Sequence, residues 1–115
     1  MKNHLMLGAM LLASGNASAA FFLDSATLLE WLPDYDSYKE RREIRYMAKA
    51  SQYVGYVTGV VDALDGTRFC LPGGAGAEQT AAKVAEYARQ HAQSLPRHAS
   101  ETVVSALAEQ YPCKR

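Results

Sequence analysis

Tyr53-Val54-Gly55-Tyr56-Val57-Thr58-Gly59-Val60-Val61-Asp62-Ala63-Leu64-Asp65-Gly66-Thr67-Arg68-Phe69-Cys70-Leu71-Pro72, matched at the chain end by Tyr111-Pro112-Cys113, decides the fold. Read with the residues before it, the stretch places Met47, Ala50, Val54, Val57, Val61 and Leu64 at alternating steps of three and four. That spacing predicts the apolar stripe of a long amphipathic helix from about Tyr38 to Leu64. Beside the stripe Ser51, Gly55 and Gly59 recur at steps of four and form a ridge without bulky side chains, which predicts a close helix crossing. A helix-interior glycine costs up to about 1 kcal/mol relative to alanine, so two of them one turn apart call for a packing reason. On this reading leucine at Gly59 is expected to harm folding more than leucine at Gly74. Asp65-Gly66 ends the helix, glycine suiting a left-handed cap. Phe69 to Pro72 follows as an extended linker, and Gly73-Gly74-Ala75-Gly76 as a flexible turn.

Working outward, Asp24-Ser25 before Leu28, Leu29 and Leu32 predicts a capped short helix, with Trp31 helping to bury it. It is expected to end before Pro33, because a residue preceding proline is pushed away from the helical region, leaving Pro33 to Ser37 as a turn. Beyond the glycine turn, Thr80, Val84, Tyr87, Ala88 and His91 share one face of another helix, with His91 a partly buried edge residue. Pro96 marks the next helix start, and Ala99, Val103, Ala106, Leu107 and Gln110 carry that helix to Tyr111, where Pro112 stops it. No segment alternates with period two. The fold class is all-α, a compact bundle of about four helices.

The first residues have the form of an export signal. Lys2 precedes the apolar run Leu5 to Ala13, and Ala17-Ser18-Ala19 has the small-x-small pattern that signal peptidase reads. A membrane anchor needs roughly 20 consecutive apolar residues, and Ser14, Gly15 and Asn16 interrupt this run. Residues 1–19 are therefore expected to be a cleaved signal, leaving 20–115 as a single domain in the periplasm without an anchor. A domain of this size gains only marginal stability from its core. Cys70 and Cys113 are the only cysteines, and export to an oxidising compartment makes a disulfide between them the default. The competing reading is a zinc site built from Cys70, Cys113, His91 and His98, but no pair among them has the short ligand spacing of a structural zinc module.

Twelve basic and twelve acidic residues balance over the chain. The one basic tract, Lys39 to Arg45, is interrupted by Glu40 and Glu43 and reads as a solvated helical face with Arg41 and Arg45 one turn apart, which argues against nucleic acid as a partner. The glycine turn has no Lys-Ser/Thr pair after it and no strand before it, so it does not read as a phosphate cradle. Asp62 and Asp65 lie three apart at a helix end and read as a solvated terminus. With no nucleophile and base set, metal set or cofactor loop in the sequence, the expectation is a binding protein without catalysis, metal or cofactor.

Gly55-Tyr56-Val57 with Gly59-Val60 and Asp62-Ala63-Leu64 resembles the glycine-spaced helix of the Rap/Tai-type immunity proteins of type VI secretion systems. Phe69-Cys70-Leu71-Pro72 resembles the cysteine loop after that helix, and Ala106-Leu107 through Tyr111-Pro112-Cys113 resembles the family's C-terminal signature, in the same order. The similarity spans about Leu28 to Lys114 and is weakest in the first helix and the Gly73 to Gly76 turn. Many relatives carry further cysteines that tie down the N-terminal helix, and this chain has none there. The resemblance implies a periplasmic helical protein that binds and occludes a secreted toxic effector, often a peptidoglycan amidase, with a homodimer as a common assembly. It implies scaffold roles for Gly55, Gly59, Pro72 and Pro112 beside the two cysteines. Effector contacts are expected on loops and helix ends, which selects Asp34, Tyr35, Asp36, Gly73, Gly74, Gln93 and Arg97. The alternative is a periplasmic acid-stress chaperone of the Hde type, also small, helical and held by one disulfide, opened when its carboxylates are protonated.

Overall fold

The computed structural model describes residues 21–114; the export segment assigned to residues 1–19 lies outside them. Four helices follow one another: α1 (Ser25–Lys39), α2 (Met47–Leu64), α3 (Ala77–Gln90) and α4 (Ala99–Gln110). They enclose one core, and the most extensive packing is of α1 on α2. The all-α bundle read from the sequence is the observed fold.

The start of α1 is the expected one. Asp24 adopts an extended conformation and its carboxylate accepts the Thr27 N–H at 2.9 Å, meeting one of the orphan donors of the first turn. Its end is not. The helix runs through Pro33 to Lys39, although proline removes the N–H that would reach the Leu29 carbonyl and costs a helix interior about 3 kcal/mol. Tertiary contacts beyond the proline offset that loss. Tyr35 is buried against Tyr53 with ring centroids 4.6 Å apart, Asp34 is buried, and Asp36 forms an ion pair with Arg89 of α3.

Because α1 is longer than expected, α2 is shorter. Beyond Lys39 the basic tract is a connecting loop and no helical face: α1 closes with Arg41 in the left-handed region at φ 60°, the Arg41 N–H bonding to the Tyr38 carbonyl and the Arg42 N–H to that of Ser37. This is the Schellman arrangement that glycine usually supplies. Along α2 the buried residues are Ala50, Tyr53, Val57 and Val60, while Val54, Val61 and Leu64 are partly buried and Met47 is 54% exposed. The stripe is thus rotated by about one residue from the aliphatic pattern and centred on Tyr53, whose hydroxyl donates to the Ala81 carbonyl at 2.7 Å.

The glycine ridge is a correction as well. Ser51, Gly55 and Gly59 all face solvent, and a Cβ placed on either glycine would meet nothing within 4 Å. No helix among the described residues crosses there. The small apolar residues that are buried are alanines instead, Ala50 on α2, Ala81, Ala85 and Ala88 on α3, and Ala99 and Ala106 on α4. Gly66, by contrast, takes the left-handed conformation at φ 92° that the end of α2 requires.

Phe69 enters the core from the loop after α2 and is fully buried. The next residue is bonded twice to the chain end, through the Cys70–Cys113 disulfide and through the Cys70 N–H to the Tyr111 carbonyl at 2.8 Å. At the other end of the bundle the Ser25 hydroxyl donates to the Pro96 carbonyl at 2.5 Å and lies 2.7 Å from the buried Thr102 hydroxyl, tying the start of α1 to α4. Pro96 precedes α4 by three residues, and Gln110, expected on its packed face, is exposed.

Candidate functional site

The residues selected as contacts do not form one surface. Asp34 and Tyr35, expected on an exposed turn, are only 9% and 3% exposed because α1 continues through them, so neither is an accessible contact. Asp34 is instead a structural acceptor. Asp36 is half-buried and engaged by Arg89. Gly73 and Gly74 do lie exposed in the turn before α3, with Gly74 at φ 88° and the Ala75 N–H bonded to the Pro72 carbonyl at 3.1 Å. Gln93 and Arg97 share a hollow of about 240 Å³ beside Asp24 and Pro96. Pro112 is exposed just beyond the end of α4.

A larger groove, about 760 Å³, opens where the end of α1, the first half of α2 and the start of α3 meet. Tyr38 and Arg41 border it on one side, Met47 and Val54 come from α2, and Glu78 and Ala82 from α3. Three of the five large apolar side chains that stand exposed among the described residues belong to this corner: Tyr38 (43%), Tyr46 (50%) and Met47 (54%). The cations of Arg45 and Lys49 lie 5.6 and 5.0 Å from the centre of the Tyr46 ring. None of these aromatic or apolar residues was selected as a contact from the sequence, and Met47 and Val54 were assigned to the packed stripe of α2. The available signal was Tyr46-Met47 directly after a run of charges, and it was absorbed into a helix that does not begin until Met47.

Chemically the described residues offer binding surfaces. Cys70 and Cys113 are consumed by each other, which removes the thiolates the zinc alternative needs, and no group of three His, Cys, Asp or Glu is gathered among the described residues. His91 is partly buried at the end of α3, its Nδ1 2.9 Å from the Tyr87 carbonyl and its ring stacked on Tyr87. His98 stacks on Phe21 at 3.6 Å between centroids. Burial pushes the Tyr53 hydroxyl far above its ordinary pKa, and raises those of Tyr35 and Tyr56 in the same way, so all three are proton-bearing hydrogen-bonding groups at neutral pH. Asp65 and Asp62 are exposed at the end of α2, Asp65 accepting the Leu71 N–H at 2.9 Å. No helix among the described residues is long and apolar enough to cross a membrane.

A family model described as Rap1a immunity proteins matches residues 24–113, the whole of the bundle from the cap of α1 to the second cysteine. The chain belongs to the Rap1a immunity protein family. No curated protein and no solved structure matches it.

Proposed function

We propose that this protein is exported to the periplasm and there binds and blocks a secreted toxic effector, a peptidoglycan-degrading amidase delivered by a type VI secretion system. The observation that carries the reading is the family match, which runs over residues 24–113 and includes both bonded cysteines. A disulfide in a domain this small fits an oxidising compartment, and the signal-like residues 1–19 fit the same destination. The protein acts by occupying its target and turns nothing over. A standard inhibitor interface covers about 800 Å² on each partner, well within the reach of a four-helix surface.

Co-expression with the secreted proteins encoded beside its gene, followed by co-purification, tests the reading. One of them should be retained at one copy per bound copy of this protein, and cells carrying the exported form should survive that effector in the periplasm. Deleting residues 1–19 should abolish survival while leaving binding in extracts intact. If no neighbouring product is retained, and the protein instead keeps other proteins from aggregating at pH 2 to 3, below the carboxylate pKa values, the chaperone alternative replaces this reading.

A further inference from the structure

The turn between α1 and α2 has a composition that the fold does not explain. From the end of α1 through the turn to the start of α2, Tyr38 to Lys49 holds five cations, Lys39, Arg41, Arg42, Arg45 and Lys49, against the two carboxylates of Glu40 and Glu43, in a chain whose charges balance only as a whole. One carboxylate is already committed, since Glu40 pairs with Arg42 at 2.7 Å. Interleaved with these cations are the exposed Tyr38, Tyr46 and Met47, and beside them lies the groove, whose apolar lining reaches to Val54 and Ala82 between Ser51, Glu78 and Gln79. Exposed apolar side chains usually scatter singly, whereas here they gather at one corner with the densest positive charge.

The corner is also held in place. Arg41 is locked in the left-handed closure of α1, and the Tyr46 backbone is anchored to the buried Asp34 carboxylate at 2.9 Å. Side chains presented on an anchored turn lose less freedom on association than those on a loose one. Tyrosine, arginine and methionine are the residues enriched at protein interfaces, and arginine and tyrosine dominate their energetic centres.

Resting on the immunity reading, we infer that this basic aromatic turn and its groove form the surface that grips the effector. The effector presents there an apolar side chain flanked by carboxylates. The apolar group fills the groove against Tyr38, Met47 and Val54, Tyr46 packs beside it with its flanking cations, and the carboxylates face Lys39, Arg45 and Lys49. A nucleic acid or an anionic membrane fits less well, because Glu40, Glu43 and Glu78 stand among the cations and would repel phosphates.

The probe is the neighbouring-gene effector retained by the wild type, with affinity and association rate measured at low and at physiological salt. Tyr46→Ala should weaken binding by about 30-fold or more, the effect of losing an interface centre. The double change Arg45→Glu with Lys49→Glu should slow association at low salt by about tenfold or more and flatten its salt dependence. Gln93→Ala with Arg97→Ala, at the smaller hollow, should leave both unchanged. Thermal melts accompany each variant, and because Tyr46, Arg45, Gln93 and Arg97 are exposed and Lys49 only half-buried, the melts should match the wild type. Wild-type affinity in the turn variants, or a loss confined to the Gln93 and Arg97 pair, overturns this inference while leaving the immunity reading standing. Binding of the wild type to anionic lipid vesicles or to duplex DNA that disappears in the turn variants would assign the corner to a polyanion and also overturn it. A wild type that retains no effector removes the immunity reading and this surface with it.

Discussion

The Asp34 carboxylate on α1 accepts the backbone N–H of Tyr46 at 2.9 Å, so a buried acid twelve residues upstream fixes the point at which α2 begins. Tyr46 is the residue preceding α2 and has no side-chain cap of its own. A helix start without a local capping side chain is thereby satisfied from a neighbouring helix.

Removing that acceptor should be costly for a single polar atom. Asp34→Ala strands the Tyr46 N–H, and loss of a hydrogen bond to a charged group is worth about 1.5–3 kcal/mol. Asp34→Asn keeps a carbonyl oxygen in reach and should lose less. Urea unfolding of the two variants checks the ranking, and equal midpoints would show that the bond contributes nothing to stability.

The exposed glycines of α2 and the glycine turn before α3 should now behave oppositely to the sequence-based order. At Gly59 an added side chain meets open space inside a helix, so Gly59→Ala should stabilise by up to about 1 kcal/mol. Gly74 sits at φ 88°, where an L-residue is strained, and Gly74→Ala should destabilise by about 1–2 kcal/mol. Thermal melts decide this. A lower melting temperature for Gly59→Ala would mean that the ridge is occupied in solution by something outside this chain.

These reversals show which parts of the fold were legible. Local chemistry was: the Asp24 cap, the Gly66 turn, the helix stop before Pro112 and the pairing of the only two cysteines all depend on residues close in sequence or on a count of two. What failed was decided across the bundle. Pro33 signals a helix end by its own geometry, and only Tyr35 on Tyr53 and Asp36 with Arg89 keep the helix going. Tyr53 lies one step off the aliphatic stripe, and its partner, the Ala81 carbonyl, is 28 residues away. Small residues mark a close approach only if another helix is there, and the sequence alone does not say which small-residue face is covered. Effector contacts are harder still, since exposed residues obey no packing period; Asp34 and Tyr35 were expected on the turn after Pro33, and the continuing helix makes them interior.

Tyr53 gives the bundle an alkaline limit. Its hydroxyl is buried and hydrogen-bonded, and burial raises its pKa, whereas in the unfolded chain it ionises near 10. Above that pH the unfolded state holds fewer protons than the native state, so stability is complete below pH 10 and falls as pH rises, by up to about 1.4 kcal/mol per unit for each such phenol. Tyr35 and Tyr56 shift in the same direction and add smaller contributions. Tyr53→Phe should be less stable at pH 7 through loss of the bond to Ala81, yet its stability should decline less steeply between pH 10 and 11. Parallel curves for the two proteins would show that Tyr53 ionises as freely in the folded state as in the unfolded one.

The disulfide should set how much of the fold survives outside an oxidising compartment. It joins residues separated by 43 positions, and closing a loop of that length removes unfolded-state entropy worth about 4 kcal/mol in the chain-entropy model. In a domain of this size each kcal/mol moves the melting temperature by roughly 4–8 °C, so reduction should lower it by about 15–30 °C. The native contacts should not be the source of that loss, because the burial of Phe69 and the bond from the Cys70 N–H to the Tyr111 carbonyl do not themselves require the covalent link. The Cys70→Ser, Cys113→Ser double variant should therefore melt with the reduced wild type and retain its helical circular dichroism at low temperature. Non-reducing mass analysis should find no thiol open to alkylation in the exported protein. A double variant that melts with the oxidised wild type would show that the two chain segments stay together even in the unfolded ensemble, and that the cross-link adds nothing to stability.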